Sequence, residues 1–203
     1  MIAIIDYDAG NIKSVEKALQ SFGQEVIITR DRDRLLSADK VILPGVGAFG
    51  DAMERLEAYD LISVIHEIVE KKTPFLGICL GLQLLFDSSE EAPGVKGLGI
   101  LPGKIVRFPS DIGLKIPQIG WNSLSLPNKG RLFKGIEEGQ FVYFVHSYYL
   151  IADEPSDVVA TTEYGVTVHA SVERGNVFAC QFHPEKSSDV GLKILKNFID
   201  LEV

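Results

Sequence analysis

Hydrophobic and polar residues follow two patterns along the first half of the chain. Short apolar runs predict β-strands at residues 2–5, 25–29, 40–43 and 73–78. Between these runs, apolar side chains recur at helical spacing, which predicts helices at residues 12–22, 49–58, 61–71 and 80–86. Strands that alternate with helices favour a parallel sheet covered by helices, which is an α/β fold.

The second half of the chain has a different pattern. Alternating or β-branched runs, separated by Gly, Pro, Asn and Asp, predict strands at residues 105–108, 141–150, 158–163 and 166–172. We expect these strands to be antiparallel and to join the same sheet system. A last strand at 177–182 and a helix at 190–201 follow. Because no long Pro-, Gly- or Ser-rich linker interrupts the chain, residues 1–203 are predicted to form a single domain.

The composition narrows the class of protein. Hydrophobic residues make up 46% of the chain, charged residues make up 24%, and the formal net charge is −8. Such a chain can bury a sizeable core, so we expect a soluble globular protein. The acidic balance, without a Lys/Arg cluster, argues against nucleic acid or an anionic membrane as a partner. Residues 1–6 indicate a strand and not a signal peptide, and no apolar run approaches the roughly 20 residues of a membrane span.

Cysteine and histidine usage excludes two further kinds of site. The chain has two cysteines and four histidines. Two cysteines are too few for a disulfide framework, and no pair or cluster has metal-ligand spacing with the histidines. We therefore expect a reduced, cytoplasmic protein without a metal site.

Cys79 lies between glycines at the point where a predicted strand gives way to a predicted helix. The segment from Gly77 to Gly81 reads Gly-Ile-Cys-Leu-Gly, the cysteine counterpart of a nucleophile elbow. The small flanking residues allow a strained turn that exposes the thiol, and the backbone N–H of Leu80 then points at the oxygen that becomes negative on attack. A cysteine in an apolar run is by itself more often a buried hydrophobic residue, which is our interpretation of Cys180.

A cysteine nucleophile needs a base that forms and holds the thiolate. His183 follows the predicted strand at 177–182, and Glu185 stands two residues further on, where a carboxylate can fix the tautomer of the imidazole. These residues complete a predicted Cys-His-Glu triad. We expect the other three histidines to be structural: His66, His146 and His169. Of these, His146 lies in an aromatic run at 143–149 that could instead line a site.

A glycine-rich loop follows the predicted strand at 40–43. Its residues 45–50 match the dinucleotide-binding pattern G-x-G-x-x-G, but the next strand ends at the elbow without the acidic residue that would hold a ribose. The loop can instead supply the second backbone donor of an oxyanion hole, and we assign that donor to Val46 or Gly47. Gln83 lies one helical turn beyond the cysteine, where its carboxamide can bond a substrate or simply be an ordinary polar helix residue.

Three motifs in this order and spacing resemble the triad-type glutamine amidotransferases: Pro44-Gly-Val-Gly47, Gly77-Ile-Cys-Leu-Gly-Leu-Gln83 and His183-Pro-Glu-Lys186. The resemblance covers nearly the whole chain. It implies a flavodoxin-like open sheet with helices on both faces, and a triad of nucleophile, acid/base and orienting carboxylate: Cys79, His183 and Glu185. It also implies that L-glutamine is held by Gly47, Gln83, Glu91 and the Ser147-Tyr148 backbone, with the Glu91 carboxylate facing the α-ammonium group.

Four further segments resemble the histidine-biosynthesis branch of this family: residues 6–11, 89–98, 118–122 and 143–148. In that branch the glutaminase pairs with a (β/α)8-barrel cyclase, which receives ammonia through an internal channel and uses it on a phosphorylated aminoimidazole intermediate. The joint reaction yields imidazole glycerol phosphate, AICAR and glutamate. The resemblance places three residues near the interface with the cyclase: Trp121, Tyr143 and Lys186.

The implied chemistry is hydrolysis of glutamine through a glutamyl thioester on Cys79, which needs neither a metal nor an organic cofactor. Three alternatives remain open. The chain can be a glutaminase for pyridoxal phosphate, anthranilate or guanylate synthesis, which the synthase that raises its activity would reveal. It can be a silent regulatory subunit, although the intact triad motifs argue against this, or a cysteine peptidase on a related fold.

Overall fold

The computed structural model describes residues 1–128 and 130–202 as helices, strands and connecting loops. The helices are α1 (Ile12–Gln20), α2 (Arg32–Leu36), α3 (Phe49–Ala58), α4 (Leu61–Glu70), α5 (Leu80–Leu84) and α6 (Ser188–Ile199). The strands are β1 (Ile2–Ile5), β2 (Val26–Thr29), β3 (Lys40–Leu43), β4 (Phe75–Ile78), β5 (Ser88–Ser89), β6 (Gly103–Arg107), β7 (Gln118–Ser123), β8 (Phe141–His146), β9 (Tyr148–Ala152), β10 (Val158–Glu163), β11 (Thr167–Arg174) and β12 (Val177–Cys180).

A seven-stranded sheet forms the centre of the molecule, with strand order β10-β11-β12-β4-β3-β1-β2. The strands from β12 to β2 pair in parallel, whereas β10 and β11 pair antiparallel at one edge. Parallel pairing requires a crossover between strands, and helices supply it here. The predicted α/β fold with central parallel strands and added antiparallel strands is confirmed.

Helices cover both faces of the central sheet, and the strands β1, β3, β4 and β12 are buried on both sides. Along β1, Ala3 and Ile5 pack into one apolar cluster with residues of α3 and α4. The alternate residues Ile2 and Ile4 pack into a second cluster with residues of α1 and α6. This alternation follows from the two-residue repeat of a strand. Among the described residues, no helix is both long enough and apolar enough to cross a membrane.

The expectation that all the antiparallel strands join one sheet system is wrong for strands β6, β8 and β9. The run predicted at residues 141–150 is two strands, because the chain leaves β8 after His146 and enters β9 at Tyr148. Strand β8 pairs with β7, which the sequence pattern did not predict, and β9 pairs with β6 in a separate three-stranded sheet. Only β10 and β11 extend the central sheet in antiparallel fashion.

The carboxyl ends of β3, β4 and β12 lie side by side because these strands are parallel neighbours. The loops that leave them carry the glycine-rich segment, Cys79 and His183 respectively. In an open α/β sheet, sites form outside the carboxyl ends of the strands, where loops lead into helices. The fold therefore brings the three predicted motifs to one edge of the sheet.

Candidate active site

Cys79 occupies a strained turn between β4 and α5. Its φ of 55° and ψ of −107° lie outside the regions that residues with a side chain usually adopt. The turn needs glycine on both sides, since a Cβ on Gly81 would overlap the Leu43 carbonyl oxygen, and one on Gly77 would lie 2.7 Å from the Gly81 carbonyl oxygen. These small residues let the chain reverse tightly while β4 stays packed in the sheet. The thiol is thereby placed at the sheet edge, in the wall of a pocket.

His183 and Glu185 lie just beyond β12, on either side of Pro184. The His183 Nδ1 atom lies 2.9 Å from Glu185 Oε1, and the side chains of the two residues are 3% and 0% exposed. Burial opposes a positive charge on the imidazole, but hydrogen bonds to Cys79 and Glu185 outweigh it and raise the pKa of His183 to about 9. The structure therefore pairs His183 with Glu185 through a hydrogen bond and places the Cys79 thiol in the same pocket wall as His183.

Asn11 also contacts this group, although its sequence context did not mark it as a site residue. Its side-chain Nδ2 donates to Glu185 Oε1 over 2.8 Å, and this bond joins residues 174 positions apart in the chain. The available signal was an asparagine immediately before a predicted helix, which normally indicates a helix cap. The structure gives the side chain a different partner, because the start of α1 lies beside the loop that carries Glu185.

The predicted oxyanion donors are the Leu80 N–H and an N–H of the glycine-rich loop at Val46 or Gly47. The Leu80 N–H, predicted to face the oxyanion, donates instead to the carbonyl of Gly45 over 3.3 Å. Gly47 has a φ of 106°, which favours glycine, and the Val46 side chain is 39% exposed. The loop is anchored at its start, where the buried Tyr7 hydroxyl donates to the Pro44 carbonyl over 2.7 Å.

A pocket of about 310 Å³ lies over the elbow. Its walls include nearly all of the residues predicted to bind substrate or to act on it: Val46, Gly47, Cys79, Leu80, Gln83, Glu91, Ser147, Tyr148 and His183. Lys186, which was predicted to lie near the interface, also lines the pocket. Glu185 is absent from the wall because it lies buried behind His183. The volume is at the lower end of the range for small-molecule sites. The site thus suits a small polar substrate.

The Gln83 side chain makes its hydrogen bonds to other residues of the chain. Its side-chain nitrogen donates to the Tyr148 carbonyl over 3.2 Å and to the Gln181 side-chain oxygen over 3.0 Å. Gln181 in turn places its own nitrogen 3.7 Å from the Cys79 sulfur. Gln181 was missed from sequence, although a glutamine at the end of the apolar run 177–182 was a usable signal. The two amides connect the thiol to the strand that carries Tyr148.

Glu91 and His146 also line the pocket, but only Glu91 was predicted to be a site residue. One oxygen of Glu91 accepts the Phe49 N–H over 2.8 Å at the start of α3, and its other oxygen has no hydrogen bond to the described residues. From sequence we expect His146 to be structural, but it lies in the pocket wall with its ring nitrogens 2.8 Å from Tyr148 O and 2.9 Å from Gln118 Oε1. Burial lowers the pKa of His146 to about 4, so the ring is neutral near pH 7.

The hairpin of β7 and β8 presents apolar side chains to solvent beside the pocket. Trp121 is 52% exposed and packs edge to face against Tyr143, with ring centroids 5.9 Å apart. Ile119 and Phe141, which sequence reasoning did not single out, are exposed on the same hairpin. The patch is joined to the triad, because the Tyr143 carbonyl accepts the His183 N–H over 3.0 Å. Exposed apolar clusters of this kind mark interaction surfaces.

A family comparison identifies the class of protein that carries this arrangement. The family model for "Glutamine amidotransferase class-I" matches residues 3–201, which is nearly the whole chain. The chain belongs to the class-I glutamine amidotransferase family. This confirms the resemblance drawn from the three motifs, and it accounts for the position of Cys79 at the elbow.

Individual relatives within the family are closely similar. The chain is 52% identical over 200 residues to "Imidazole glycerol phosphate synthase subunit HisH" of Moorella thermoacetica, covering 98% of this chain and 94% of the relative. It is 50% identical over 206 residues to the protein of the same name from Syntrophotalea carbinolica, covering 99% and 100% of the two chains. A solved structure described as a glutamine amidotransferase superposes with a TM-score of 0.73 at 20% identity, covering 98% and 99% of the two chains. The last comparison supports the fold alone.

Proposed function

We propose that this chain is the glutaminase subunit of imidazole glycerol phosphate synthase, acting in histidine biosynthesis. Full-length identity of about 50% to subunits of that name supports the assignment. The observation that carries it is that Cys79 and His183 line one small pocket, with Glu185 hydrogen-bonded to His183 behind its wall. The substrate is L-glutamine, and the products of this chain are glutamate and ammonia.

The reaction begins from the Cys79 thiolate, with the thiol proton held on His183, whose raised pKa of about 9 favours the protonated ring near pH 7. The thiolate attacks the side-chain carboxamide carbon of glutamine, and the carbonyl π-electrons move to oxygen to give a tetrahedral oxyanion. His183, oriented by Glu185, protonates the leaving nitrogen as the C–N bond breaks, which releases ammonia and leaves a glutamyl thioester. His183 then takes a proton from the water that attacks the thioester, and it returns this proton to the Cys79 sulfur as the C–S bond breaks and glutamate departs.

The residues of the pocket wall support a proposed role for each remaining contact with glutamine. The other oxygen of Glu91 receives the α-ammonium group, and the backbone at Ser147 and Tyr148 binds the substrate opposite. Gln83 positions that backbone through its bond to the Tyr148 carbonyl. Gly47 supplies close access to the substrate, since a glycine at this φ leaves space where a side chain would lie.

The oxyanion donors are the N–H groups of Leu80 and of the Val46-Gly47 segment. Because the Leu80 N–H donates to the Gly45 carbonyl in this conformation, the glycine-rich loop must shift before that donor can face the oxyanion. A single missing oxyanion donor typically lowers the rate by about a hundredfold or more. The isolated chain therefore hydrolyses glutamine slowly, and docking of the partner accelerates it.

The partner is a (β/α)8-barrel cyclase, which receives the ammonia through an internal channel and uses it to form imidazole glycerol phosphate and AICAR. The two subunits form a heterodimer in the cytoplasm. The exposed Trp121 and the half-buried Tyr143 of the hairpin face the cyclase, and Lys186, in the pocket wall, is the gate residue. The backbone bonds of Tyr143 to His183 and Ser187 give the interface a direct link to the triad.

Glutamate production measured with and without the cyclase tests this function. We expect a low rate for the isolated chain, a rate at least about tenfold higher with the cyclase and its nucleotide ligand, and no glutamate from Cys79→Ala. Equal rates with and without the cyclase would contradict the proposed coupling. Activation by a different synthase, or modification of Cys79 by a peptide and not by glutamine, would favour the other pathways or a peptidase.

A further inference from the structure

We propose that Asn11 is a positioning residue of the active site, which fixes the Glu185 carboxylate so that His183 stays aligned with Cys79. This inference rests on the proposed function for its kinetic consequences, because the triad then acts on glutamine. Asn11 itself touches neither the pocket nor the thiol. It acts through Glu185, to which it donates a hydrogen bond of 2.8 Å.

The geometry around Glu185 makes this bond important. Its Oε1 atom accepts from Asn11 Nδ2 and lies 2.9 Å from His183 Nδ1. Its Oε2 atom is buried and has no hydrogen-bond partner among the described residues. A buried carboxylate needs donors to keep its charge and orientation. Within the described part of the chain, Asn11 is the one donor to this carboxylate besides the histidine that the carboxylate is meant to orient.

The side chain of Asn11 gives up its usual local role to make this contact. Asparagine at the residue before a helix normally accepts an N–H of the first turn. Asn11 stands in that position before α1, yet its side chain makes no such bond, and its backbone is left-handed at φ 66° and ψ 9°. Because a carboxylate oxygen can only accept, the amide must present its N–H to Glu185. The side chain is thus committed to the triad and not to the helix.

The loop before Asn11 is anchored independently of the triad. The Arg30 guanidinium bridges Asp6 and Asp8 over 3.0 and 2.7 Å, and the Arg55 guanidinium donates to the Asp8 carbonyl over 2.7 Å. These bonds fix the loop beyond the carboxyl ends of β1 and β2. Asn11 therefore reaches Glu185 from a support that does not depend on the turn that carries His183.

Two substitutions isolate the side chain from the backbone. Asn11→Gly keeps the left-handed conformation and removes the amide. Asn11→Asp keeps the size and shape of the side chain but replaces the donor with an acceptor that faces the carboxylate. Asp60→Gly is the matched control, because Asp60 stands before α4 in the same left-handed conformation and its side chain likewise caps nothing.

The first measurement is glutamine hydrolysis by the complex with the cyclase. Misalignment of a catalytic group typically lowers the rate by about tenfold to a hundredfold. We expect kcat to fall about tenfold in Asn11→Gly and by more in Asn11→Asp, while KM changes less than about twofold because the pocket walls are intact. Asp60→Gly retains the kcat of the original chain. Unchanged kcat in both Asn11 variants would overturn the proposal.

The second measurement does not need glutamine. Alkylation of Cys79 by iodoacetamide, followed by peptide mass spectrometry, reports the thiolate that His183 holds. At pH of about 6.5 we expect alkylation at least about fivefold slower in the Asn11 variants, with equal rates at pH of about 9.5, where thiols ionise unaided. Equal rates at the lower pH, or a change confined to thermal stability, would show a merely structural role. If no glutamate forms in any protein but the alkylation difference persists, the proposed function fails while the positioning role stands.

Discussion

The stability of the fold is predicted to be highest at a pH of about 6.5, because two buried histidines shift in opposite directions. Burial lowers the pKa of His146 from 6.5 to about 4, while contacts with Cys79 and Glu185 overcome burial and raise that of His183 from 6.5 to about 9. Both side chains are nearly inaccessible to solvent, with 6% and 3% exposure. Solvent therefore screens neither effect strongly.

The signs follow from proton binding in the folded and unfolded states. A raised pKa makes the folded state bind the proton more tightly, so the contribution of His183 is complete below pH 6.5 and is lost as pH rises towards 9. A lowered pKa does the reverse, so the contribution of His146 is complete above pH 6.5 and is lost as pH falls towards 4. At about 1.4 kcal/mol per pH unit, each shift corresponds to about 3 kcal/mol in total. Between pH 6.5 and 5, or between 6.5 and 8, the expected loss is about 2 kcal/mol.

Urea unfolding at pH values of about 5, 6.5 and 8 measures the fall in the free energy of unfolding on the acid side and on the alkaline side of pH 6.5. His183→Gln should remove the fall above pH 6.5 and His146→Gln most of the fall below it, while burial of His169 also lowers its pKa and adds to the acid side. His66→Gln, a histidine substitution on α4 away from the pocket, is the control, and its free energy of unfolding should still fall on both sides of pH 6.5. A free energy of unfolding that is flat or rises from pH 6.5 to 8, or an alkaline fall that survives in His183→Gln, would refute the reasoning.

Three further predictions concern the loop, the substrate and the partner. Tyr7→Phe leaves the Pro44 carbonyl without its buried donor and should lower the free energy of unfolding by about 1–3 kcal/mol in urea titrations, whereas a change within error would contradict this role. Glu91→Gln keeps an acceptor for the Phe49 N–H but loses the charge that faces the α-ammonium, so KM for glutamine should rise about tenfold at nearly constant kcat; a fall in kcat alone would argue for another role. Trp121→Ala should weaken binding of the cyclase by about 2 kcal/mol in calorimetric titration, and unchanged affinity would place the interface elsewhere.

Local chemistry made the central parts of the site predictable from the sequence. Gly77 and Gly81 are each needed because a side chain there would overlap a different backbone carbonyl. Both glycines stand two residues from Cys79, so the sequence itself shows the pattern. The His-Pro-Glu segment holds both partners of a hydrogen bond within three residues, so its geometry depends little on distant parts of the chain. The parallel pairing of β3 with β4 follows from the alternation of strands and helices, whereas β12 comes after the antiparallel strand β11 and its place beside β4 does not.

Features that depend on long-range contacts were not predictable in the same way. The run from Phe141 to Leu150 is apolar or aromatic except at His146 and Ser147, and its division between two sheets depends on pairing with β7 and β6. Helix α2 has only five residues, too few for a periodic pattern, and the Asp31 cap is its main sequence signal. Asn11 reaches Glu185 across most of the chain, a contact that no local pattern records.

The central claim is that Cys79 attacks glutamine and carries the glutamyl group. Acid-quenching the complex during turnover and mapping the chain by mass spectrometry tests this claim most directly. We predict one glutamyl group on the peptide containing Cys79, none on the buried Cys180, and none in Cys79→Ser. Sustained glutamate production by Cys79→Ser, or an adduct on a residue other than Cys79, would contradict the mechanism.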